Sequence, residues 1–87
     1  MELTHSQLWE KCLVMLKDNL IPEQFDAWFK PISSLSYENG NLILMIPSEY
    51  FKEQIENRFS GLLYSVLRHV YGDNLKKLHF KFNQIGD

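Results

Sequence analysis

The sequence contains a single cysteine, Cys12, and only four glycines and three prolines among its 87 residues. One cysteine forms no internal disulfide, and its place among the apolar residues of a predicted helix favours a buried side chain in a reducing compartment. The glycines stand alone, so the sequence shows no glycine-rich phosphate-binding loop. No apolar run approaches the roughly 18 residues that a membrane span requires, and residues 1–6 lack a signal-peptide pattern. We therefore expect a cytoplasmic protein without a membrane segment.

Neither sign of charge dominates the chain. Nine basic and eleven acidic residues give a net charge of −2, which disfavours strong sequence-independent binding to nucleic acid. The three histidines lie in different predicted elements, and neither metal-ligand spacing nor a nucleophile beside a general base is visible. We expect no catalytic residue, metal or cofactor, and interpret the chain as a binding module rather than an enzyme.

Aromatic residues are abundant, at 14% of the chain, and three of them fall within five residues of each other. Phe25, Trp28 and Phe29 recur at i, i+3 and i+4, so they share one face of a helix that Pro22 opens and Pro31 follows. A helix this short requires a partner to pack against. Its other face carries the polar residues Glu23, Gln24 and Asp26.

A first helix is predicted from Ser6, as N-cap, to about Asn19. Its apolar stripe includes Trp9 and Cys12, whereas Val14 lies off the stripe. The helical angle of Trp9 favours a place in the core. An exposed edge used for self-association is the alternative, and Val14 would extend such an apolar patch.

The period then changes to that of strands. Leu35 and Tyr37 alternate with serines, and an Asn39-Gly40 turn leads into the apolar run 42–46, which predicts a hairpin. Both faces of the second strand are apolar, so we expect it to be central in its sheet, with helices on one side and partial cover on the other.

A long helix follows, opened by Pro47 or capped by Ser48, with an apolar stripe from Phe51 to Val70. Gly72 ends it, and a third strand begins near Lys76. The order helix, helix, strand, strand, long helix, strand predicts an α/β (α+β) fold in which helices pack on a three-stranded sheet. We interpret residues 1–87 as one domain with its compact part at about 6–82.

Surface aromatics offer the first functional indication. The helical angles of Tyr50 and Tyr64 place both opposite the buried stripe of the long helix, and tyrosine is enriched at interface hot spots. The main hypothesis is a protein-docking surface where the short helix meets the start of the long helix, formed by Tyr50, Glu23, Gln24, Asp26 and Ala27. The alternative is a weak single-stranded nucleic-acid-binding module that uses Lys76, Lys77, Lys81 and Arg68.

Several motifs resemble domain I of the bacterial replication initiator DnaA across roughly residues 6–82. They are Leu8-Trp9-x-x-Cys12-Leu13, Phe25-x-x-Trp28-Phe29-Lys30-Pro31, the strand 42–46 before Pro47, and the pair Tyr50-Phe51. The resemblance implies a small KH-like fold without the family's ATPase domain. It also implies a role in binding the replicative helicase, initiation regulators and other initiator copies, the last as a weak homodimer.

The resemblance assigns roles to individual positions. Trp9 corresponds to the family's self-association tryptophan, and Tyr50 to its helicase-contacting aromatic residue, with Phe51 as the less favoured candidate. Gln24 stands where the family has an acidic helicase contact, so a charge-assisted contact becomes neutral unless Glu23 replaces it. The GXXG loop typical of KH domains is missing, which makes nucleic-acid binding secondary.

Overall fold

Three α-helices and three β-strands follow one another in the predicted order in a computed structural model that describes residues 4–82. The long helix begins at Glu49, directly after the predicted opening at Pro47 or Ser48. The third strand begins at Lys77, one residue after the predicted start near Lys76. The elements are α1 His5–Asp18, α2 Pro22–Trp28, β1 Ser33–Glu38, β2 Asn41–Ile46, α3 Glu49–Tyr71, a 3-10 turn Gly72–Asn74 and β3 Lys77–Phe82.

The start of α1 differs from the prediction, because Thr4 and not Ser6 is the N-cap. The Gln7 backbone N–H donates to Thr4 Oγ1 over 3.1 Å, while the Thr4 N–H donates to Gln7 Oε1 over 2.9 Å. These reciprocal bonds form a capping box that satisfies two backbone donors at once. Ser6 therefore lies inside the first turn.

The sheet has the strand order β1-β2-β3, so β2 is central as predicted. β1 and β2 are antiparallel and joined at Asn39 and Gly40, whose φ angles of 52° and 83° are those of a type I′ turn. β2 and β3 are parallel, with α3 as the crossover between them.

β1 does not keep the simple alternation that its sequence predicts. The register with β2 shifts between Ser34 and Ser36, which makes Leu35 the extra residue of a bulge and leaves it 38% exposed. Tyr37 lies beyond the bulge, and its ring packs edge-on against Tyr71 of α3 with centroids 4.8 Å apart.

The core lies between one face of the sheet and the three helices. From β2 this inner face contributes Leu42, Leu44 and Ile46, each at most 1% exposed. The opposite, outer face carries Ile43 and Met45, which are only half-buried and lie outside the core cluster. The helices contribute the buried residues Trp9, Cys12, Leu16, Phe25, Phe51, Ile55, Phe59, Leu63, Val66, Leu67 and Tyr71.

Candidate functional site

The start of α3 turns two neighbouring aromatic residues in opposite directions. Ser48 caps the helix, since its Oγ accepts from the Phe51 backbone N–H over 3.2 Å. This cap fixes the first turn, in which Tyr50 is 66% exposed and Phe51 only 8%. The predicted outward Tyr50 and inward Phe51 are both confirmed.

α2 packs beside this first turn through its aromatic face. The Trp28 ring lies 5.2 Å from the Phe51 ring and 6.4 Å from the Phe59 ring, measured between centroids. Phe25 and Phe29 are buried beneath α2, as their spacing predicts. Aromatic packing therefore holds α2 against the first turn of α3. The contact is made at Phe51, the residue after Tyr50.

The polar face of α2 remains available to a partner. Glu23, Asp26 and Ala27 are exposed, and Gln24 is partly exposed. We call these four residues together with Tyr50 the Tyr50 surface. It combines one large aromatic side chain with two carboxylates on a neighbouring helix.

Arg58 lies beside the Trp28 ring. The sequence did not predict it as a residue of the functional site. Its guanidinium carbon lies 5.7 Å from the Trp28 centroid and 5.3 Å from the Phe59 centroid, which are cation–π distances. A signal was present in the sequence. Arg58 follows Phe51 by seven residues, or two helical turns, so it lies on the aromatic side of α3.

The predicted self-association residues Trp9 and Val14 have different surroundings. Trp9 is 3% exposed, and its indole Nε1 donates to the Ile32 carbonyl over 3.0 Å. The core position that its helical angle favours is confirmed, and its indole offers no exposed edge. Val14 is 61% exposed beside a groove of about 490 Å³ between α1 and α3. The groove is lined by Leu8, Lys11, Val14, Met15, His69 and Val70.

The predicted basic edge is only partly brought together. Arg68, Lys76 and Lys77 line one surface depression of about 580 Å³ between α3 and the start of β3, together with Tyr64 and Asp73. Lys81 lies further along β3 and does not line this depression. Three of the four residues therefore share a location, and an acidic residue lies among them.

Comparison with known proteins identifies the family. The profile of the DnaA N-terminal domain matches residues 6–78, which is most of the chain. The chain belongs to the DnaA N-terminal domain family. Among relatives of this DnaA domain, the chromosomal replication initiator protein DnaA of Bacteroides fragilis is 38% identical over 78 residues, covering 90% of this chain and 16% of that protein. The DnaA protein of Chlorobaculum tepidum is 33% identical over 73 residues, covering 84% and 15%.

The DnaA relatives are far longer than this chain, which spans 15–16% of the length of these two. Within residues 4–82 of this DnaA domain, none of the helices combines the length and apolar character needed to cross a lipid bilayer. Over the same stretch, histidine, cysteine and carboxylate side chains do not gather in threes that could hold a metal ion.

Cys12 belongs to the buried core of the DnaA domain. Its side chain is fully buried, and burial raises the pKa of Cys12 to about 12. A thiol is a weak nucleophile until it loses its proton, so Cys12 is chemically unreactive near neutral pH. The prediction of a small buried hydrophobic side chain is confirmed.

Proposed function

We propose that this chain is the protein-interaction module of a replication initiator, and that the Tyr50 surface docks the replicative helicase and regulators of initiation. The observation that carries the proposal is the 66% exposure of Tyr50 beside an anchored Phe51. A tyrosine held in this way offers a large contact area with little loss of side-chain entropy on binding.

Charge on the Tyr50 surface supports a partner that presents a basic group. Gln24 is neutral, and a contact to it is roughly half as strong as one to a carboxylate. Glu23 precedes it on the same exposed face and supplies the carboxylate. Arg58 lies beside the Trp28 ring of α2, so a cation as well as carboxylates is available to orient a partner that contacts α2.

The test is a calorimetric titration of this chain with the replicative helicase of the same organism. Tyr50→Ala is expected to weaken binding by about 1–3 kcal/mol, as for a central interface anchor. Tyr64→Ala is the matched control, because Tyr64 is also an exposed tyrosine of α3, 46% exposed, but lies more than three turns away. Equal effects of the two variants, or none from Tyr50→Ala, would contradict the proposal.

Self-association is proposed for the groove between α1 and α3. Val14 is one of four apolar residues that line this groove. Trp9 contributes indirectly, because its hydrogen bond to the Ile32 carbonyl holds α1 in place. Val14→Asp is expected to abolish a weak homodimer without unfolding the chain. Sedimentation analysis at high concentration measures this, and a strictly monomeric parent protein would refute it.

The alternative function, binding of single-stranded nucleic acid, has one supporting observation: Arg68, Lys76 and Lys77 line one depression with Tyr64. Asp73 in the same depression and the net charge of −2 oppose it. Salt separates the alternatives, because binding through phosphate contacts weakens log-linearly with salt concentration. A partner contact dominated by Tyr50 responds weakly to salt.

The proposed module has no catalytic role of its own and acts in the cytoplasm. A buried, unreactive Cys12 is compatible with that reducing compartment. Together the 87 residues are proposed to act as one interaction domain of a longer initiator.

A further inference from the structure

β3 separates its side chains by charge across the two faces of the sheet. Lys77, His79 and Lys81 pair in register with Asn41, Ile43 and Met45 of β2, so they share the outer face. All three are exposed. Leu78, Phe80 and Phe82 alternate with them on the inner face, and Phe82 is still 38% exposed. One strand therefore carries a basic row on one side and an apolar row on the other.

β3 is also the end of the sheet in the part of the chain that the structure describes. It pairs only with β2, and its other edge presents backbone N–H and C=O groups to which a further strand can bond. The depression between α3 and the start of β3 is lined by Tyr64, Leu75 and Leu78 together with the charged residues Arg68, Asp73, Lys76 and Lys77. For the side chains of an added strand that turn to the inner side, the apolar neighbours on β3 are Leu78 and Phe80.

The charge on this edge selects against a second copy of the chain. If two copies of β3 paired in antiparallel fashion with their His79 residues opposite each other, Lys77 of one would lie opposite Lys81 of the other. The carboxylate that the described strands offer is that of Glu38. It lies at the turn end of β1, which β2 separates from β3, so it is not on the edge where a second copy of β3 would pair. Like charges directly opposite each other are destabilising, whereas carboxylates in those positions are favoured.

We propose that the free edge of β3 binds an extended acidic segment of a partner protein. The segment adds to the sheet through main-chain hydrogen bonds, as in β-strand addition. Its acidic side chains lie beside Lys77 and Lys81, and its alternate, apolar side chains lie beside Leu78 and Phe80. This binding site shares no residue with the Tyr50 surface and is independent of it.

The outer face of the sheet favours a peptide over single-stranded nucleic acid. Unpaired bases bind mainly by stacking on aromatic rings. The outward side chains of β1 and β2 are aliphatic or polar, namely Ser33, Ser36, Glu38, Asn41, Ile43 and Met45, so His79 is the aromatic ring that the outer face of the described strands offers. One imidazole is a small stacking surface for bases, whereas the lysines on either side of it match the outward carboxylates of an acidic segment.

The probe is a synthetic peptide of about eight residues in which glutamate and valine alternate, slightly longer than β3. It is titrated into the isotopically labelled 87-residue chain, and backbone amide shifts and hydrogen exchange are followed by NMR. We expect saturable binding, with new protection of amides confined to β3. A peptide N-methylated on the edge that faces β3 is expected to bind at least about tenfold more weakly, because that edge can no longer donate main-chain hydrogen bonds to β3.

Charge-reversal variants test the basic row. Lys77→Glu combined with Lys81→Glu is expected to weaken peptide binding at least about tenfold. Lys11→Glu combined with Lys17→Glu changes the net charge equally, on exposed positions of α1, and is expected to change binding less than about twofold. Circular dichroism is used to check that each variant is folded. Tyr50→Ala is expected to leave peptide binding unchanged, which separates this proposal from the function of the Tyr50 surface.

Several results would overturn the proposal. These are no saturable peptide binding at about 1 mM, equal weakening by the two charge-reversal pairs, and equal binding of the N-methylated peptide. An oligothymidylate that shifts the same β3 amides and binds more tightly than the peptide would instead assign the edge to nucleic acid.

Discussion

The indole Nε1 of Trp9 donates a hydrogen bond to the carbonyl oxygen of Ile32 over 3.0 Å, joining α1 to the segment that enters β1. Both residues are at most 3% exposed, so the carbonyl has no access to bulk water. Loss of this donor leaves a buried acceptor without a partner, which costs more than the bond itself contributes.

Trp9→Phe is therefore expected to lower the free energy of unfolding by about 1–3 kcal/mol, and Trp9→Ala by about 3–5 kcal/mol. Urea denaturation measures both. A Trp9 variant that has lost stability also loses self-association by unfolding. Its stability is therefore compared with that of Val14→Asp, which changes an exposed residue. An unchanged stability in Trp9→Phe would show that the bond to Ile32 contributes nothing.

Tyr50 and Phe51 are expected to differ sharply in their contribution to stability. Tyr50→Ala removes an exposed side chain and should change the free energy of unfolding by less than about 0.5 kcal/mol. Phe51→Ala removes the ring that packs 5.2 Å from Trp28 and should cost about 3–5 kcal/mol. Thermal denaturation of the pair tests the assignment, and similar losses in both would contradict it.

Tyr71→Phe is expected to stabilise the protein. The Tyr71 hydroxyl is buried and has no hydrogen-bond partner within residues 4–82. Removing it abolishes a desolvation cost while the ring keeps its packing against Tyr37. We expect a gain of about 1 kcal/mol in urea denaturation. Tyr37→Phe, which changes a half-buried tyrosine in the same pair, is the control, and a destabilised Tyr71→Phe would contradict the expectation.

Alkaline pH is expected to destabilise the fold through Cys12. Burial raises the pKa of Cys12 from 9.0 to about 12, so the unfolded chain loses this proton first as the pH rises. The contribution to stability is complete below pH 9.0 and is lost progressively towards pH 12. Burial, followed by the nearby Cys12 and Tyr37, also raises the pKa of Tyr71 above its usual range, which acts in the same direction.

Cys12→Ala tests how much of this pH dependence of stability comes from the Cys12 thiol. The substitution lowers stability at every pH, because it shortens a core side chain, but it removes one titrating group. Between about pH 9 and pH 11 the parent protein should lose about 1 kcal/mol per pH unit more than the variant. Denaturant midpoints across this range provide the measurement. Parallel pH profiles for the two proteins would mean that the thiol ionises equally well in the folded and unfolded states.

Local sequence patterns were sufficient for most elements of the fold. Asn39-Gly40 predicts the hairpin because few other residues adopt two consecutive positive φ angles, and the two-sided apolar run 42–46 predicts a central strand. The opposite directions of Tyr50 and Phe51 follow from helical geometry alone. The Thr4 cap was readable as well, since Thr-x-x-Gln is the capping-box pattern. Tyr71 continues the stripe of Leu63 and Leu67 at four-residue spacing.

Other features depend on contacts between distant residues and carry no local signal. The parallel pairing of β3 with β2 is determined by where the α3 crossover returns to the sheet, and the bulge at Leu35 depends on the register with β2. The hydrogen bond from Trp9 to Ile32 spans 23 residues. For the site, the sequence predicted the exposure of Tyr50. The seven-residue spacing from Phe51 places Arg58 on the aromatic side of α3, but its position over the Trp28 ring depends on how α2 packs.

Gly40, at the tip of the β1–β2 hairpin, reverses the chain and also binds the segment that leads from α3 into β3. The Gly40 carbonyl accepts from the backbone N–H groups of both Lys76 and Lys77, at 2.7 and 3.0 Å. A side chain at position 40 would meet the Asn74 carbonyl oxygen at 2.8 Å. One glycine thus contributes to two parts of the fold, the local turn at 39–40 and the start of a strand more than thirty residues later. A substitution that disturbs this turn therefore also disturbs the hydrogen bonds that hold the start of β3.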